Sequence, residues 1–155
     1  MTRINIVPTE ELSDQHLVAE YREIFMVGSA LARTLKSPNR DKSLSSIPEK
    51  FTLNTGHVKF FYNKGEYLHK RYKQLISEMQ HRGMKPDPKR KFKREQWPDE
   101  LYNDWDPDEQ ELAIVRQRIQ ERIEQKPNWY RWSNSVSAMG LTSNNSVRYI
   151  TVTDI

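Results

Sequence analysis

Along three separate stretches of this chain apolar residues recur every three or four positions, and residues that start or stop helices bound each stretch. This constrains the fold more than any motif, because a period near 3.6 buries one face of a helix and suits no strand. In the first stretch Asp14 is placed to cap a helix from about Gln15 towards Leu35, with Leu17, Tyr21, Ile24, Val27 and Leu31 on its buried face. A second helix is predicted from Gly56 or His57 to Arg82, using Phe60, Phe61, Tyr67, Leu68, Leu75 and Met79 and ending at Gly83, with Gly65 as its weak point. The third has Asp106 at the cap, Pro107 at its first position, Leu112, Val115, Ile119 and Ile123 on one face, and Pro127 as its stop.

The expectation is an all-α, compact single domain of about three main helices. Residues 36–50 mix Ser, Pro, Asn and Asp with charge and read as a surface loop, and the two prolines of MKPDPKRKFKRE make that segment a basic loop. Beyond Trp132 the chain turns polar, then alternates in VRYITVT like an edge strand. The division is therefore a domain over 1–132 and an irregular C-terminal extension over 133–155.

A length of 155 residues suits one core, and four Trp, seven Tyr and five Phe are enough to anchor it although hydrophobic residues make up only 35%. No stretch approaches the roughly 20 apolar residues of a membrane span, and the polar start lacks a signal-peptide core. A soluble, non-secreted, cytoplasmic protein is expected. With no Cys, disulfides, thiolate metal sites and a Cys nucleophile are excluded. The net charge of +4 conceals segregation: residues 56–94 carry twelve Lys/Arg against three Asp/Glu, whereas 95–111 carry eight acids and no base. Such a basic region suits a polyphosphate partner or a solvated helix surface.

Glu20 and Glu23, three apart on the first helix, lie on neighbouring positions of one face with His16 a turn earlier and Arg22 alongside. They are either a solvated surface or an acid/base site tuned by nearby cations. The four histidines show no close pair at metal-ligand spacing, so no metal and no cofactor are expected. Arg118 and Arg122 are placed to present guanidinium groups to successive phosphates, or Arg118 pairs with Glu121. Trp129, Tyr130 and Arg131 in NWYRW fit stacking on bases or locking of the helix end onto the core.

Four blocks taken together, MTRIN at the start, DQHLVAEYRE, GHVKFFYNK and KPNWYRW, have the order and spacing of a known family. Through them the chain resembles the pyrimidine-dimer DNA glycosylases of the T-even phage endonuclease V type, over about residues 1–132. The resemblance implies an all-helical fold with the processed amino terminus threaded between helices. It also implies two activities: cleavage of the N-glycosidic bond at cyclobutane pyrimidine dimers and strand nicking by abasic-site lyase chemistry.

By the same resemblance the Thr2 α-amine is the nucleophile, forming an imine at the sugar, and Glu23 is the catalytic carboxylate. Arg3, Gln15, His16 and Arg22 surround the site and hold phosphates, Arg118 and Arg122 contact DNA, and the aromatic segment serves dimer recognition. The implied partner is double-stranded DNA containing pyrimidine dimers or abasic sites, bound by a monomer that kinks the duplex and extrudes a base opposite the lesion. One departure stands out: Met26 occupies a position that is basic in the phage prototype. Without the resemblance, a non-catalytic basic helical DNA-binding module would use the same surface.

Overall fold

A computed structural model describes residues 2–134. Within them the chain is helical, with α1 over Asp14–Glu23, α2 over Phe25–Leu35, α3 over Arg40–Ser45, α4 over His57–Phe60, α5 over Gly65–His81 and α6 over Glu109–Gln125, joined by short 3-10 turns and loops. There is no strand among the described residues. The alternating segment 147–153 lies outside them.

Each long periodic stretch divides where local physics intervenes. Ser13, not Asp14, caps α1: its side chain accepts the His16 N–H, while Asp14 is drawn into the interior by Arg82. The first stretch breaks at Ile24, where hydrogen bonding tightens as the Val27 N–H reaches the Ile24 carbonyl at 3.4 Å. In the second stretch Gly65 opens α5 beneath Trp97, whose ring would lie 2.7 Å from any Cβ there. Gly83 adopts φ +84° just past the helix, a conformation that glycine takes without strain. A short helix, α3, forms inside the predicted loop 36–50. The cap of α6 is Asp108 and not Asp106, because Asp108 and Glu111 each accept the other's backbone N–H in a capping box.

The amino-terminal segment runs extended through the centre of the molecule. Ile4, Ile6 and Val7 are buried among Leu17 and Ile24, Val27 and Leu31 of α2, Leu68 and Leu75 of α5, and Val115 of α6. Apolar burial of this kind contributes roughly 1.5–3 kcal/mol per large side chain. Ile6 takes φ +46°, which a β-branched residue adopts only at a cost of about 1–3 kcal/mol. Its neighbours hold it there: Glu20 accepts the Asn5 N–H at 3.0 Å and Arg71 donates to the Val7 carbonyl at 2.5 Å.

Arg82, fully buried, joins three elements by binding Glu78 at 2.7 Å, Asp14 at 2.9 Å and the Thr9 carbonyl at 3.2 Å. Asp14 also accepts the Ser133 hydroxyl at 2.7 Å, and its backbone N–H meets the Arg131 carbonyl at 2.6 Å. The segment after α6 is thereby fastened to the start of α1. No helix among the described residues is long and apolar enough to cross a membrane.

Candidate active site

Two carboxylates on α1 are separated by one helical turn and by very different surroundings. Glu20 is buried and fully engaged: Arg71 Nε donates to Oε2 at 2.6 Å, while Arg71 and the Asn5 N–H share Oε1. Glu23 lines a cleft of about 250 Å³ together with Arg3, Asn5, His16, Leu53, Arg118, Ile119, Arg122 and Tyr130, and Glu20 borders the same cleft. Its Oε1 is shielded from solvent and lacks a hydrogen-bond partner, as does Nε of Arg3. Groups of this kind are costly unless a ligand completes them.

The electrostatics follow from that arrangement. Burial pushes the Glu23 carboxyl above its ordinary value, against the pull of nearby positive charge and the Arg3 backbone. Burial likewise lowers the pKa of Arg3, and Arg118 and Arg122 lower it further, while Glu23 opposes them. Three guanidinium groups therefore share the cleft with Glu23, and the other acid on its lining, Glu20, is already paired with Arg71. Arg118 does not pair with Glu121; among the described residues Gln117 bonds Glu121, and neither Arg118 nor Arg122 forms an ion pair. Such a cleft attracts a phosphate and keeps an anionic oxygen beside whatever the phosphate brings.

Of the remaining residues singled out from the sequence, His16 and Tyr130 line this cleft, whereas Thr2, Gln15, Arg22, Trp129 and Arg131 do not. Thr2 donates its hydroxyl to Met26 Sδ at 3.1 Å, next to the start of α2. Arg3 also donates to the Leu53 carbonyl, which pins it across the cleft floor. His16 lines the cleft, bonded through Nδ1 to the Ser13 hydroxyl at 2.8 Å and stacked on Tyr130 at 4.8 Å. Burial lowers its pKa, with Glu20 opposing and Arg122 adding to the effect. Gln15 lies outside the cleft lining and uses both ends of its amide on the aromatic segment, donating to the Trp129 carbonyl and accepting the Arg131 N–H. Arg22 is exposed and also outside the lining. Trp129 is 52% exposed, set edge-on to Tyr130 with the Lys126 ammonium 5.2 Å over its ring. The segment thus turns Tyr130 inward onto His16 and Trp129 outward.

His57, outside the cleft lining, makes a contact to the amino-terminal segment that the sequence did not foretell. Its Nδ1–H donates to the Thr52 carbonyl at 2.7 Å, so Nε2 is bare and accepts the Ile4 N–H at 2.9 Å. Burial holds it below the ordinary histidine pKa, consistent with a ring that must stay neutral to accept that bond. Asn5 and Leu53 complete the cleft. Only the block GHVKFFYNK drew attention to this neighbourhood, and nothing in it marked His57 as a partner of residue 4. No group of three or more metal-ligating side chains occurs among the described residues.

The sequence profile of a family described as pyrimidine dimer DNA glycosylase matches residues 1–92, a span that includes Arg3, His16, Glu20 and Glu23 and ends before α6.

Proposed function

Since the chain belongs to the pyrimidine dimer DNA glycosylase family, we propose that it cleaves the N-glycosidic bond at cyclobutane pyrimidine dimers in double-stranded DNA and then nicks the strand through an imine on the Thr2 α-amine. Removal of Met1 would expose that amine. An α-amino group titrates near ~7.7–8.0 and a lysine near ~10.4, so the terminus is far more available as a neutral nucleophile close to neutral pH.

In this reading Arg3, Arg118 and Arg122 hold the phosphates beside the damaged nucleotide, and the Thr2 nitrogen attacks C1′ of its sugar. The C1′–N bond to the base breaks as the new C–N bond forms, with positive charge developing on the sugar. Glu23 faces that charge as a carboxylate. Opening of the sugar gives the imine, whose electron-withdrawing character acidifies the C2′ proton; loss of that proton expels the 3′ phosphate and nicks the strand. In this reading Glu23 takes part in these proton transfers, with a carboxyl pKa that burial raises above its ordinary value. Water then releases the sugar from the amine.

The observation that carries the proposal is the buried, unpartnered oxygen of Glu23 in a cleft of three arginines, beside an amino-terminal segment pinned in place by Glu20, Arg71 and His57. The test is incubation of the purified protein with a dimer-containing duplex, with and without borohydride. Strand nicking and a covalent protein–DNA species are expected. Retardation of the duplex without cutting would reduce the protein to a DNA-binding module, and an alkali-labile but intact strand would remove the lyase step.

A further inference from the structure

The basic segment that follows Gly83 is a built structure with two distinct sides. Residues 90–93 run without helix, and exposure alternates from 89 onward: Lys89, Lys91 and Lys93 face solvent, while Arg90 and Phe92 are half-buried. The inward residues are anchors. The Arg90 guanidinium lies 4.3 Å over the Phe25 ring and donates to the Tyr21 carbonyl at 3.3 Å and to the Arg22 carbonyl. These carbonyls belong to the last turn of α1, where backbone acceptors have no helical partner. Tyr72 donates its hydroxyl to the Arg90 carbonyl at 2.8 Å, and Phe92 stacks on His69 at 4.6 Å. The segment is thus riveted to the end of the helix that carries Glu23.

The outward lysines stand at alternate positions, Lys89 in a turn that the Arg90 N–H closes onto the Asp87 carbonyl at 3.1 Å and Lys91 and Lys93 in the non-helical run after it. None of the three forms an ion pair among the described residues. No acid occurs from residue 88 to 94; the bracketing acids are Asp87, which accepts the Lys89 N–H, and Glu95. With Arg90 the three lysines border one open cleft of about 550 Å³ that Phe25, Ser29, Glu95 and Gln96 complete. Several unpaired ammonium groups along an open cleft suit a polyanion, whose successive phosphates engage them together.

We propose that Lys89, Lys91 and Lys93 form a second phosphate-binding strip, separate from the arginine cleft, that holds one strand of the duplex flanking the lesion. The inference rests on DNA being the substrate. Because Arg90 ties the strip to the last turn of α1, the strand held there is set in register with Glu23.

The experiment is a salt series of equilibrium binding to an undamaged duplex for the wild-type chain, for Lys89→Gln/Lys91→Gln/Lys93→Gln, and for the matching triple arginine variant. Each phosphate neutralised contributes about 0.9 to the log–log salt slope, so the glutamine variant should lose about 2.7 and the arginine variant should keep the wild-type slope. A glutamine variant with an unchanged slope would overturn the strip, as would an arginine variant as shallow as the glutamine one, since the effect would then not be charge. If the wild-type protein cut no dimers yet the slopes still separated as stated, the strip would stand and the enzymatic reading would fall.

Discussion

Two sets of charges, each built around one carboxylate of α1, meet the amino-terminal segment, and the fold treats them in opposite ways. In the first, Glu20 and Arg71 are buried, mutually paired, and bonded to backbone on either side of Ile6. In the second, Glu23, Arg3, Arg118 and Arg122 share a cleft in which one carboxylate oxygen and one guanidinium nitrogen lack partners. The first set holds a strained chain in position; the second is incomplete until a ligand enters. The two carboxylates are three residues apart on neighbouring positions of one face of α1, so the buried partner Arg71, and not helical phase, is what sets Glu20 apart from Glu23.

If the first set is structural, breaking it should cost the most stability. Glu20→Ala leaves Arg71 uncompensated in the interior and frees the Asn5 N–H, and a loss of about 3–5 kcal/mol is expected in denaturant unfolding. Replacing the pair by Leu and Met should not restore the wild type, because the Asn5 N–H and Val7 carbonyl would remain without partners. Full recovery in the double variant would show that the clamp on the amino terminus is not what the pair provides.

The second set predicts the reverse pattern. Glu23→Gln keeps size and hydrogen-bonding capacity but removes the charge, so dimer cleavage should fall by at least ~10² while the melting temperature holds or rises. Trapping on a pre-made abasic site should suffer less, since no base has to depart there. Equal losses on both substrates would make Glu23 a DNA-positioning group and blur the contrast between the two carboxylates.

How much of this contrast the residues announce is uneven. The apolar periods identified the helical segments because Leu17, Val27, Leu75 and Val115 each face the core from the predicted side. The break at Ile24 had no Gly or Pro to signal it, whereas Gly65 did mark one. Asp14 and Asp106 both had the chemistry of caps; Asp14 lost that role to a buried partner 68 residues away, and the capping box at Asp108 overrode the proline beside Asp106. Glu20 and Glu23 looked alike because the distinguishing partner, Arg71, is 51 residues distant. Long-range contacts leave no local pattern, and that is why the bond from Ile4 to His57 went unread and why the role proposed for Glu23 came through resemblance.

A smaller effect concerns pH. His57 must be neutral to accept the Ile4 N–H, and burial depresses its folded pKa below the unfolded value of ~6.5. The unfolded chain therefore takes up the proton first as pH falls, so the stability contributed by His57 is present above ~6.5 and lost progressively below it. His16 and His69, also depressed by burial, act with the same sign. His57→Gln should make the decline of melting temperature below pH ~6.5 shallower without removing it. An unchanged decline would take His57 out of the amino-terminal clamp.

The smallest effect is the loss of ligand charge from the cleft. Arg118→Ala with Arg122→Ala should reduce the log–log salt slope of DNA binding by about 1.8 and leave thermal stability nearly intact, because neither residue is paired in the free protein. A marked loss of stability with an unchanged slope would place them with the structural charges.

The central claim is that the clamped amino terminus presents the nucleophile to the cleft, and mass spectrometry of the borohydride-trapped protein tests it most directly. The account predicts that the sugar adduct lies on the α-amine of Thr2 and that acetylation of that amine abolishes both trapping and strand cleavage. An adduct on any lysine, or full activity in the acetylated protein, would contradict it.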